Sequence, residues 1–167
     1  MEEYCPIINI EGEIIGKATR IECHSGSMLL HPVVHLHIIK KGGYLYLQKR
    51  SKNKDIQPGK WDTSVGGHVD YGESIETALL REAYEELGIK LISPKKLVSY
   101  IFSSDIEQEM INVYFMVVDD NFECVYDNKE IDDARFWHID EINKVLGKGI
   151  LTPNFEQEFS RIKHLII

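Results

Sequence analysis

The chain has 167 residues, 43% of them hydrophobic, enough for one compact domain spanning 1–167 with a core of its own. Its formal net charge of −8 argues against a general nucleic-acid surface, because binding phosphates without a metal needs clustered Lys and Arg, and it suits a site that recruits cations before meeting an anion. The opening Met1-Glu-Glu-Tyr-Cys-Pro has neither a basic start nor an apolar run, and no stretch reaches membrane-spanning length, so the expectation is a cytoplasmic protein without a membrane partner. In chain order, Ile7–Ile10 and Ile14–Lys17 flank Glu11-Gly-Glu and predict an N-terminal β-hairpin. Val33–Ile39 and Tyr44–Gln48 are β-rich runs about the turn Lys41-Gly-Gly. Trp61–Val65 predicts a strand leading to Gly66-Gly67. Leu97–Phe102, Ile111–Val118 and Ala134–Trp137 predict three more strands, Asp140–Leu146 a short helix, and Asn154–Leu165, after Thr152-Pro153, a C-terminal helix. Cys5, Cys23 and Cys124 are too widely spaced for a metal knuckle or a redox pair and read as reduced thiols.

Between the third strand region and the fourth lies the most informative stretch: Gly67-His-Val-Asp-Tyr-Gly-Glu73, seven residues, then Arg81-Glu82-Ala83-Tyr84-Glu85-Glu86-Leu87-Gly88-Ile89. With each fixed position drawn at roughly one in fifteen, a chance match arises about once in 10⁸ starting points. Ile75, Ala78, Leu79, Ala83 and Leu87 recur at helical steps and predict an amphipathic helix with that stripe on the core. Glu82, Glu85 and Glu86 stand at i, i+3 and i+4, on one face. Three adjacent carboxylates repel one another unless a cation sits among them, and hard oxygen donors select Mg²⁺ or Mn²⁺. An ordinary solvated acidic face is the alternative, but the glycine turn, Arg81 and the terminator Gly88 all fall where a metal-carboxylate helix needs them.

This segment resembles the Nudix box, G-x5-E-x7-R-E-U-x-E-E-x-G-U, with the small Ala83 at the first bulky aliphatic position as its soft spot. The resemblance implies a Nudix-type α/β/α sandwich with a mixed sheet. It implies a hydrolase in which Glu82, Glu85 and Glu86 hold Mg²⁺ or Mn²⁺, with the Gly66 carbonyl as a further ligand, and water attacks the diphosphate bridge of a nucleoside diphosphate or other X-linked diphosphate. Glu73 and Arg81 would be mainly structural, Arg81 holding a carboxylate in place. The expected partner is this small-molecule diphosphate; a homodimer is compatible with the chain.

A narrower resemblance covers most of the chain. Gly16-Lys-Ala-Thr-Arg-Ile-Glu-Cys-His24, Leu29-Leu-His31, Leu47-Gln-Lys-Arg50-Ser-Lys-Asn-Lys54, Pro58-Gly-Lys-Trp61 and Ser64-Val-Gly-Gly-His68 resemble isopentenyl diphosphate isomerases and their Nudix hydrolase relatives. It implies a second divalent site at His24, His31, His68, Glu107 and Glu109, and diphosphate contacts at Arg50 and Lys54. Independently, Glu107 and Glu109 alternate at the mouth of a strand and should share a face. Glu130 falls in the loop where many Nudix hydrolases place another ligand or base, so the general base is open among Glu82, Glu85, Glu109 and Glu130. His35 and His37 also share a strand face; with no carboxylate nearby in sequence they read as structural or pocket-lining. The isomerases protonate a double bond with a cysteine just before the box glycine, where this chain has Gly66, and their assisting tyrosine has no clear counterpart in Leu97–Ser104. An intact box core without that acid favours hydrolysis over isomerisation. A catalytically silent binding module is the third reading, which metal-dependent phosphate release would exclude.

Overall fold

The computed structural model describes residues 3–166. The first two strands, β1 (Tyr4–Ile8) and β2 (Ile14–Thr19), form the expected antiparallel hairpin, and a four-residue helix too short to show a period, α1 (Arg20–Cys23), follows with Thr19 as its N-cap. A seven-stranded mixed sheet makes up the body: β3 (Leu30–Lys40), β4 (Tyr44–Arg50), β5 (Trp61–Asp62), β6 (Val65–His68), β7 (Lys95–Ser103), β8 (Gln108–Val118) and β9 (Ile131–His138). Its main path runs β5-β4-β3-β8-β7, with β6 paired to β3 and β9 to β4. The central pair β3 and β8 is parallel, in register from Leu30↔Gln108 to Lys40↔Val118, so His31 lies beside Glu109. The strand expected over Trp61–Val65 is broken at Thr63-Ser64: Ser64 is buried, its hydroxyl takes the Ile38 N–H at 2.9 Å and donates to the Tyr46 carbonyl, so this residue bridges strands instead of extending one.

The period-two alternation of β3 assigns its two faces. Val34, Leu36 and Ile38 pack against Ala78, Leu79, Ala83 and Leu87 of α2 (Ile75–Leu87), the stripe predicted from the box segment. Ser74 caps this helix by accepting from the Thr77 N–H, and Gly88 ends it in the left-handed region at φ 65°. The opposite face, with Ile39 of β3 and Leu45 and Leu47 of β4, is covered by Phe155, Phe159 and Ile162 of α4 (Pro153–Ile162), which Thr152 caps and Pro153 opens. A 3-10 turn, Lys163–Leu165, takes the place of the last turn expected for this helix. Between the two lies α3 (Ile139–Val145), started by a capping box of His138 and Glu141. Helices on both faces of a mixed sheet give the α/β/α sandwich. Among the described residues, no helix is long and apolar enough to cross a membrane.

Candidate functional site

Two ligand-rich groups meet at β6, one on each face of the sheet. On the α2 side, Arg81 organises the box. Its guanidinium forks onto Glu73, Nε to Oε2 at 2.8 Å and Nη2 to Oε1 at 2.9 Å, and Nη2 also donates to the His68 carbonyl at 3.0 Å. The remaining nitrogen, Nη1, donates to Glu82 at 2.8 Å and Glu85 at 3.2 Å, which places these two carboxylates side by side. Arg81 thus holds carboxylates in place, Glu73 among them. Glu86 turns inward: Gln48 Nε2 donates to its Oε1 at 3.1 Å and the Gly66 N–H to its Oε2 at 3.1 Å. Burial, opposed by those two hydrogen bonds, pushes the Glu86 carboxyl up to about 8, and burial raises Glu82 as well. Gly67 leaves the space Glu82 occupies, since a Cβ there would lie 2.1 Å from Glu82 Cδ.

On the other side, a chelating set assembles from four separate segments. His24 at the end of α1, His31 of β3, His68 of β6 and Glu109 of β8 each offer a ligand atom, all within 4.8 Å of one another. Among the described residues this is the group of His, Cys, Asp and Glu with such convergence; the box glutamates are engaged with Arg81, Gln48 and Gly66. Glu109 Oε2 is 3.7 Å from both His31 Nε2 and His68 Nε2, and the His24 and His68 Nε2 atoms are 2.9 Å apart. Glu107 stands just outside this group of four, its Oε2 3.5 Å from His24 Nδ1, so both strand-mouth glutamates face the cluster.

Several observations fit this group to a cation. His31 Nε2 and Glu107 Oε2 are buried without a hydrogen-bond partner. His31 Nδ1 lies 2.9 Å from the Leu29 carbonyl, which fixes it as the protonated nitrogen and directs the Nε2 lone pair at the cluster. Burial, joined by the charge of Arg20, pushes His68 down to about 3, and burial lowers His24, so both offer neutral rings. Burial works against ionising Glu109, but the histidines that face it, His31 foremost, together outweigh burial and hold its carboxyl low.

The expected diphosphate contacts are folded back onto the protein. Arg50 Nε donates to the Ile56 carbonyl at 3.0 Å and its Nη1 lies 3.8 Å from Asp62, while Lys54 is paired with Glu130. His35 and His37 do have a carboxylate partner, Glu158 of α4, 2.8 Å from His35 Nδ1 and 2.5 Å from His37 Nε2. Leu97–Ser104 does hold a tyrosine in the structure's β7: Tyr100, whose hydroxyl donates to Glu158 at 2.6 Å. Sequence reading missed Gln48, Asp62, Tyr100 and Glu158; only the period-two pairing of His35 and His37 signalled that something polar waits on their face.

Comparison with known proteins follows the same outline. The NUDIX domain model matches residues 29–155. The chain is 33% identical to an uncharacterized Nudix hydrolase of Listeria monocytogenes over 93% of this chain and 90% of that protein. It is 26% identical to the isopentenyl-diphosphate Delta-isomerase of Aliivibrio fischeri, over 87% of this chain and 86% of that one. Among solved structures, the DR0079 protein from Deinococcus radiodurans superposes with a TM-score of 0.80 at 24% identity, covering 95% of this chain and 98% of that one.

Proposed function

The chain belongs to the Nudix family, in the branch that resembles isopentenyl diphosphate isomerase, and from that premise we propose that it is a divalent-metal-dependent hydrolase that cleaves the diphosphate bridge of a nucleoside diphosphate or another X-linked diphosphate. The observation that carries this reading is the intact carboxylate face of α2 laid against two glycines, with Glu86 at the Gly66 N–H and Glu82 in the space a Gly67 side chain would fill. Glu82, Glu85, Glu86 and the Gly66 carbonyl would hold Mg²⁺ or Mn²⁺, an all-oxygen set that suits either ion. Such an ion lowers the pKa of bound water and neutralises charge on the diphosphate. Burial leaves Glu86 reluctant to ionise in its present surroundings, which suits a carboxylate whose counter-charge is a cation. Arg81 keeps Glu82 and Glu85 together, and the general base is drawn from Glu82, Glu85, Glu109 and Glu130. Arg50 and Lys54, released from Asp62 and Glu130, would grip the phosphates.

The test is a screen of diphosphates with Mg²⁺ or Mn²⁺, both products identified by mass, repeated with Glu86→Gln. That nearly isosteric change should lower turnover by about three orders of magnitude in protein that still folds. Near-wild-type turnover in folded Glu86→Gln protein would remove the box from the chemistry.

A second reading, isomerase, is favoured by one observation: the convergence of His24, His31, His68 and Glu109, the set the isomerase resemblance implies. We propose that this set holds a second cation, of the borderline kind that imidazoles prefer. Gly66 supplies no proton donor beside it, and for that reason hydrolysis is the reading retained.

A further inference from the structure

Glu158 is fully buried in the middle of α4, and it accepts hydrogen bonds from three groups: His35 Nδ1 at 2.8 Å and Tyr100 Oη at 2.6 Å on Oε1, and His37 Nε2 at 2.5 Å on Oε2. Fixing α4 to the sheet accounts for His37, which is itself fully buried. It does not account for His35. That ring is 17% exposed, and its edge stands beside Gly66, where a Cβ would be 3.2 Å from Cδ2 and 3.5 Å from Nε2. Among the described residues nothing bonds its Nε2, while Glu158 commits the opposite nitrogen and so fixes which way the ring points. Asp62, the partner of Arg50, and Glu109, of the chelating set, both lie close enough for their charges to act on it. His35 thus sits at the edge of the α4-covered core, beside the bare Cα of Gly66.

We propose that His35 reads the X group of the diphosphate through Nε2, with Glu158 as its positioning residue, and that X therefore carries hydroxyl or anionic oxygens, as a sugar or nucleoside does, in preference to a hydrocarbon chain. This rests on the diphosphate-hydrolase reading. The physical reason is the cost of the alternative: an alkyl group packed on Gly66 would strand the unbonded polar nitrogen beside it, and sites built to hydrogen-bond a ligand reject analogues that lack the partner.

Two non-hydrolysable probes sharing a methylene-bridged diphosphonate decide it: α,β-methylene-ADP, with a polyhydroxylated X, and a ten-carbon alkyl methylenediphosphonate. Binding to the full chain is measured by calorimetry with Mg²⁺ present. Wild type should prefer the nucleoside probe by about tenfold or more, and His35→Phe should bring the two affinities together. Glu158→Leu should lose the preference too, and Glu158→Gln, which keeps an acceptor for His35, should retain part of it. A merely structural Glu158 would lower the melting temperature and leave the ratio of affinities alone. Should the Glu158 variants fail to fold, His35→Phe decides alone. The proposal is overturned if wild type binds neither probe, if it prefers the alkyl probe, or if His35→Phe keeps the wild-type ratio. Absence of hydrolysis of natural diphosphates by wild type would instead sink the hydrolase reading, because the binding ratio does not depend on turnover.

Discussion

Gly67 carries no side chain, and Glu82 occupies the space this leaves: its Cδ lies 2.1 Å from where a Cβ would be built. The obstructing atoms belong to the end of a flexible side chain, so Gly67→Ala should fold, with a melting temperature within a few degrees of wild type, while moving the Glu82 carboxylate. Displacements of about 1 Å at a reacting centre cost on the order of 10²-fold in rate. We therefore expect Gly67→Ala to lose about that much hydrolytic turnover, read by product formation beside a thermal melt; unchanged turnover would show that Glu82 has no fixed place in the chemistry. At this scale the box was legible because a helix makes its geometry from residues three and four apart, which is how Arg81, Glu82 and Glu85 come together. Glu158 was not legible, since 123 residues separate it from His35 and no local pattern spans that distance.

At the level of the element, α4 is held by apolar packing and by one buried carboxylate shared among three donors. Burial alone would push Glu158 up, yet the His35 and His37 rings hold it far below the usual carboxylate range; the same carboxylate, against the pull of burial, holds His35 up at about 9. The two signs differ. Glu158 contributes stability that is complete above its unfolded value of 4.5 and fades as pH falls below it. His35 contributes stability that is complete below its unfolded value of 6.5 and fades as pH rises toward about 9. Melting temperature against pH should thus plateau between those unfolded values and decline on both sides. Glu158→Gln should be less stable by about 3–5 kcal/mol, since it keeps an acceptor but removes the counter-charge of His35, and its decline toward pH 9 should flatten. A wild-type melting curve still rising from pH 7 to pH 9 would contradict the pairing. Among the elements, α2 was readable from its apolar stripe, whereas α1 was not, because four residues carry no period. The break between β5 and β6 escaped for another reason: the bridging bonds of Ser64 are tertiary.

For the molecule as a whole, the open question of chemistry narrows to one Cα. Gly66 faces the His35 side of the sheet and Gly67 the Glu82 side, so the two ligand sets are divided by a strand that is bare at both positions. The chain should not interconvert isopentenyl and dimethylallyl diphosphates at enzyme-like rates, by a product assay that resolves the two; isomerisation at such rates would require a proton donor other than residue 66 and overturn the hydrolase reading. Because the sets are separate, His31→Ala should remove about one bound transition-metal ion per chain, by elemental analysis after loading with Mn²⁺ or Zn²⁺, while leaving Glu86-dependent turnover measurable. Loss of no metal would reduce His24, His31, His68 and Glu109 to inherited scaffold. The sandwich itself was legible, since periodicity fixes which face of each element is apolar; the convergence of the histidines rested on family likeness alone, because His31, His68 and Glu109 meet only through the β3–β6 and β3–β8 registers and His24 joins them from the end of α1.

Those registers carry an evolutionary consequence. The family model spans 29–155, yet His24 precedes that span and Glu158 follows it, and both reach the same face of the sheet. On the reading proposed above, the two flanks would carry separate duties: His24 would complete a chelate, and Glu158 would aim the His35 ring. Selection on either flank alone would retune what the domain binds without rewriting the helix, so chimaeras that exchange residues 1–28 or 156–167 among relatives should transfer metal preference and ligand preference as independent traits.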